Sequence, residues 1–263
     1  MSTRAPQHRG TAARTGGHRG TAARGHGAWR LLVLAVPLCL GAPGPALAQD
    51  VGVSPEHSPY RDILNPQSLV VFLGHFGGNS GRAGVGALPG SALGGRLDIR
   101  LSGPVDLWAT VGDVASSRRV LSASGTDSVR FLGNSKLSLL AADLGLALNV
   151  TGAKSWHGLA PYLGIGLGVM APSRSVTDSG GFRVGVNFTI VPTLGTRWFV
   201  SRDFAIHLEA RDYYFRYQYP LAFFEAPFAG PPPRVSVLPL TTSSTEWTHN
   251  FTLWVGLAYG FTF

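Results

Sequence analysis

The stretch that decides the fold is "LWVGLAYGFTF", Leu253–Phe263. Leu253, Val255, Leu257, Tyr259, Phe261 and Phe263 form one row, and Trp254, Gly256, Ala258, Gly260 and Thr262 form the other. A period of two is that of a β-strand, whose successive side chains point to opposite faces. One face is apolar and bulky; the remainder of the chain must say what it meets.

Working outward from that strand, seven more alternating segments precede it, so the expected spans are 68–78, 92–102, 105–115, 136–149, 159–170, 182–200, 204–216 and 248–263. No long stretch shows the 3.6-residue period of a helix. The connections alternate in length. Gly103-Pro104, "VTGAKSWHG" at 150–158 and "SRD" at 201–203 are short, whereas 79–91, 116–135, 171–181 and a Pro-rich stretch at 217–247 are long. A meander whose two ends face different compartments has this form. The expected fold is therefore all-β, an eight-stranded antiparallel up-and-down transmembrane β-barrel.

Alternation alone does not separate a membrane barrel from a soluble, lipocalin-like one, because both carry one apolar face. The other face is more informative. Leu97, Ile99 and Leu101 oppose Arg96, Asp98, Arg100 and Ser102, while Leu163, Ile165, Leu167 and Val169 oppose Tyr162, Gly164, Gly166 and Gly168. Glycines on a solvent face would weaken strands for no packing return. Inside a narrow barrel they leave room for Trp108, Tyr162, Trp254 and arginines, so the bulky row is expected to face lipid. Trp156, Trp198, Phe199, Phe261 and Phe263 are then expected near the short-turn edge, and Tyr214, Phe215, Tyr217, Tyr219 and Trp247 near the long-loop edge, as two interfacial belts. Asp212 is a misfit on the lipid row, which calls for a bulge near Arg211 or for the strand to have left the bilayer there. The faces of "SLVVFLGHFGG" at 68–78 are left unassigned, since both are apolar.

Residues 1–30 hold six Arg and no acidic residue, and "LLVLAVPLCLGA" and "PGPALA" follow before Gln49. A basic region, an apolar run and a small-residue cleavage site read as a secretory signal peptide over 1–48, with a long basic region that also fits a misplaced start. Pro37, Pro43 and Pro45 argue against a permanent span. Residues 49–66 then form a periplasmic N-terminal extension and 67–263 the barrel domain. Removing the six leader arginines lowers the formal charge of +8 to +2, so the high pI is no argument for a nucleic-acid partner. The single cysteine, Cys39, lies in the leader, leaving no disulfide or thiolate metal site; no cofactor is expected.

A signal peptide, eight amphipathic strands and a last strand ending in Phe resemble the small outer-membrane barrels of Gram-negative bacteria, the OmpA/OmpX-type and opacity-like group. The resemblance covers about residues 67–263 and implies an outer-membrane location, with a monomer of one barrel per chain expected. It also implies outer-membrane lipids and lipopolysaccharide as surroundings, with periplasmic chaperones and the barrel-assembly machinery as partners in biogenesis. Tyr259, Phe261 and Phe263 match the terminal signal that this machinery reads. No peptidoglycan-binding domain of the OmpA kind is expected after the barrel.

Arg96, Asp98, Arg100, Asp143, Arg183, Arg197, His207, Glu209 and Arg211 fall on the expected inner face. Charges in a narrow, dry lumen must pair, so an internal ion-pair network is the primary expectation and a polar pathway for ions the alternative. Some barrels of this size are lipid A deacylases or acyltransferases using Ser, His and a carboxylate. Here His207 and Glu209 share a face without a His-x-Ser arrangement, and His75 and His249 have no carboxylate or Ser partner close in sequence, so no catalytic residue is assigned. "GIGLGVM" lacks the spacing and following helix of a nucleotide-binding loop. "GPPPR" at 230–234 is expected to stiffen a long loop. The expected role is structural or interactive, in adhesion or envelope integrity, with a narrow passive pore as the alternative and a lipid A-modifying enzyme third.

Overall fold

The computed structural model describes residues 57–123, 130–226 and 235–262. The leader over 1–48, the first part of the 49–66 extension, Phe263 and the Pro-rich 230–234 stretch lie outside them. Twelve strands are present among the described residues: β1 Tyr60–Asp62, β2 Gln67–Phe76, β3 Gly90–Ser102, β4 Val105–Leu121, β5 Phe131–Asn149, β6 Lys154–Trp156, β7 Leu159–Arg174, β8 Asn187–Phe199, β9 Phe204–Asp212, β10 Phe215–Gln218, β11 Thr245–Thr248 and β12 Phe251–Phe261.

Eight of them, β2, β3, β4, β5, β7, β8, β9 and β12, pair antiparallel in a ring. The opening stretch closes that ring: Phe261 pairs with Gln67 and Thr252 with Phe76 on one side, while Tyr259 pairs with Phe204 on the other. Closure removes the free sheet edges that an open meander would expose. A bilayer is crossed by about 9–11 residues of tilted strand. At 17, 19 and 16 residues, β4, β5 and β7 therefore project well past it toward the long loops. The tiny β1 pairs with β6 beside the short turns, tying the extension before the barrel to that end.

The sidedness is inverted relative to a soluble protein. Leu73, Leu144, Leu163, Ile165, Leu208 and Leu253 are each more than half exposed, and the intervening residues are buried inside the ring. On β2 the alternation resolves as Val70, Phe72 and Phe76 inward and Leu69, Val71 and Leu73 outward. Phe72 stacks on Trp254 at 4.5 Å. Glycine is required where the Trp108 ring crosses the lumen: a Cβ on Gly164 would approach its Cζ3 to 2.5 Å, and one on Gly145 would overlap Cζ2.

Three expectations are corrected. The β4–β5 hairpin reaches Leu121 and Phe131 instead of stopping at 115 and 136, since loop residues pack on its inner face. The strand expected from 182 begins at Asn187; Phe182 and Val184 are buried and Arg183 is exposed, the reverse of the expected facing, because this segment folds over the barrel mouth. No bulge explains Asp212. Pairing keeps one offset from Phe204↔Tyr259 through Asp212↔Phe251 to Gln218↔Thr245, so β9–β12 and β10–β11 are one long hairpin.

Candidate functional site

The interior has two zones. Nearest the short turns, Arg100 donates to the Ile63 carbonyl (3.0 Å) and lies 3.5 Å from Asp106, which is held by Arg197 (2.5 Å) and by the Asn149 amide (2.9 Å). The other side of Arg197 is 3.8 Å from Asp98, which Arg96 grips at 2.7 Å. Arg96 reaches across to Glu209 at 2.5 Å; Glu209 also accepts from Tyr162 and from Arg211. Arg211 continues to Asp143 (3.0 Å) and Thr110 (3.1 Å), and the Trp108 indole donates to Asp143 at 2.7 Å. Four guanidinium groups thus alternate with four carboxylates in one neutral ladder.

Aromatic faces insulate it. Arg96 lies 4.7 Å from the Trp108 centroid, Arg197 4.9 Å from Tyr162 and Arg211 5.4 Å from Trp254, all in cation–π range. A buried guanidinium needs several acceptors and a weakly hydrated planar group tolerates stacking, which suits Arg in a way that Lys is not suited.

The structure brings together Arg96, Asp98, Arg100, Asp143, Arg197, Glu209 and Arg211. His207 is also inside, but it stacks on Trp254 and its Nδ1 meets no hydrogen-bond partner, so it packs beside the ladder. Arg183 is not in the lumen; it sits exposed in the segment before β8. Asp106 is a member that the sequence reading missed. Its parity with Trp108 on one strand was the available signal.

Beyond Arg211 the filling becomes apolar. Phe76, Leu137, Leu139, Met170 and Val191 from the wall pack with Val85, Phe182, Phe215, Tyr217, Phe223 and Leu238 from the long-loop end. Phe215, Tyr217 and Tyr219 therefore belong to this plug and not to an outer belt; Tyr214 and Trp247 remain outside, stacked at 4.9 Å. Trp156 and Trp198 are half-exposed near the short turns, as an interfacial belt requires. Tyr259 points outward at the same end, 5.3 Å from Phe204 and 6.4 Å from Phe261. The plug holds a buried ion pair, Arg118 with Asp178, and Arg118 also donates to the carbonyls of Val176 (2.7 Å) and Val85 (3.0 Å). Burial pushes the Asp178 carboxyl up, against the opposing pull of Arg118.

The enzyme-like candidates resolve as follows. Glu209 is fully engaged by Arg96, Arg211 and Tyr162 and has no free oxygen for a reacting group. His249 does have a carboxylate partner: its Nδ1 is 2.6 Å from Asp212, brought diagonally opposite by the Tyr214↔His249 offset of the long hairpin. Asp212 also accepts from the Asn250 amide at 2.8 Å, which explains an acidic residue on an outward row.

Neither a family model nor a curated protein matches the chain. Three solved structures resemble it at low identity. The N-terminal β-barrel domain of Pseudomonas aeruginosa OprF is 12% identical over 75% of this chain and 98% of its own, with a TM-score of 0.39. Neisserial surface protein A is 12% identical over 74% and 97%, with a TM-score of 0.46. The outer membrane protein OprG of Pseudomonas aeruginosa is 10% identical over 78% and 100%, with a TM-score of 0.48. The closed ring of eight strands, its apolar exterior and its charged interior define a transmembrane β-barrel of the small eight-stranded class.

Proposed function

We propose that the protein is an outer-membrane barrel of a Gram-negative envelope that serves as a structural or interaction scaffold, presenting its long-loop end outside the cell. The short turns and the described ends of the barrel face the periplasm, and lipopolysaccharide and outer-membrane lipids surround the wall. The supporting observation is the filling of the lumen, in which a neutral ion-pair ladder meets an apolar plug. A lumen so filled favours display over transport.

Planar-bilayer recording of the purified barrel tests this, with no sustained conductance expected. Well-defined single-channel steps would overturn the scaffold in favour of the pore. Protease added to intact cells should cut only in the long loops. An unchanged lipid A acyl pattern, by mass spectrometry with and without the gene, separates the scaffold from the lipid-modifying alternative.

A further inference from the structure

The barrel wall is unzipped at one place above β8. The β8–β9 pairing runs from Phe199↔Ala205 to Thr193↔Arg211 and keeps its offset in the bridge Ile190↔Tyr214, whose two backbone bonds measure 3.0 and 2.9 Å. The same offset would next pair Phe188 with Arg216 and Val186 with Gln218, yet β10 pairs only with β11. Bonds from the Tyr213 amide to the Asn250 carbonyl (3.1 Å) and from the Tyr219 amide to the Ser244 carbonyl (2.8 Å) set the phase of that hairpin. The odd-numbered residues bond toward β11, so the amides and carbonyls of Arg216 and Gln218 face away from it. Arg216 and Gln218 border a slot of about 310 Å3, lined by Arg183, Gly185, Val186 and Asn187 on one side and by Arg216 to Pro220 on the other.

A row of unsatisfied backbone donors and acceptors is a template for an added strand. Gly185 has nothing within 4 Å of where a Cβ would stand, which leaves space for incoming side chains. Arg183 and Arg216 are exposed at the slot and have no carboxylate partner among the described residues; the Arg216 guanidinium lies 5.9 Å from the Trp247 ring. Two copies of the chain pairing through β10 would bring like charges together, which disfavours self-association there.

We propose that this slot receives an extended, acidic peptide segment of a partner protein as an added β-strand, paired to Arg216 and Gln218 and read by Arg183 and Arg216. This rests on the long-loop end facing outside the cell, but the test is independent of orientation because it uses the purified, folded chain in detergent micelles. The probes are a blocked peptide of alternating Glu and Thr, its Lys-for-Glu counterpart, and the Glu peptide N-methylated at alternate amides. The Glu peptide should bind at least about tenfold more tightly than either control, with amide shifts at Arg216 and Gln218. The R183E/R216E variant, shown to be folded by its heat-dependent gel migration, should reverse the Glu/Lys preference. Absence of Glu-peptide binding up to millimolar concentration, equal binding of the three probes, a preference unmoved by R183E/R216E, or a concentration-dependent dimer abolished by Gln218→Pro would each overturn the proposal.

Discussion

Toward the short turns the barrel is filled by Arg96, Arg197, Arg211 and their carboxylates; toward the long loops the same cylinder is filled by Leu137, Leu139, Phe182 and Phe215. Both halves fill the lumen with side chains, but they respond to damage differently. In the ladder Asp98, Asp106 and Glu209 each serve two cations, so removing one of them leaves two buried charges short of a partner. In the plug each lost methyl group removes its own contacts and leaves a cavity, so the cost is graded by volume. The polar half is held by satisfaction of pairs and the apolar half by packing.

The comparison breaks most directly at Glu209. Glu209→Ala should cost about 3–5 kcal/mol, because Arg96 and Arg211 each lose one of their two carboxylate partners and Tyr162 loses its acceptor. Guanidinium unfolding in micelles, followed by Trp fluorescence, measures it, and a loss below about 1 kcal/mol would show that the ladder does not hold the barrel. Phe182→Ala in the plug should cost about 3 kcal/mol. Its signature differs: the long loops become protease-sensitive while the heat-dependent migration of the barrel persists.

The next effect sharpens the contrast by pH. Burial pushes the Tyr217 phenol up to about 12, from 10.0, and Tyr219 is raised in the same direction for the same reason. The folded plug keeps the neutral phenols, whereas the opened chain releases their protons from about pH 10. Plug stability is thus fully present below that pH and falls as pH rises toward 12, by about 2 kcal/mol for Tyr217. Phenolate absorbance and loop proteolysis should rise together over this window. The smallest effect is expected at the rim, where Arg82 lies 3.6 Å from Glu246 but is itself exposed. Arg82→Ala should cost less than about 1 kcal/mol, showing that the same ion-pair chemistry holds little once water reaches it.

The eight strands and most of their facing were legible because a barrel wall obeys the two-residue period wherever lipid lies on one side, and Leu253 to Tyr259 show it without interruption. Seven of the ladder residues follow from parity alone. Asp106 was passed over beside more conspicuous neighbours, and Arg183 was misplaced because alternation continued into a segment that had left the wall. Phe215, Tyr217 and Tyr219 read as belt aromatics because nothing local says that a loop lies inside the mouth.

By itself the sequence determined the class of fold, most of the inward charges and the need for inner-face glycine beside the bulky lumen aromatics, because each follows from strand periodicity and side-chain volume. Tertiary structure alone decided which carboxylate serves which arginine, that the long loops seal the mouth with an apolar plug, that Asp212 meets His249, and that β8 stops short of β10. Those outcomes depend on the offset between strands distant in the chain, and offset is set by the closure of the whole ring, which no single segment encodes.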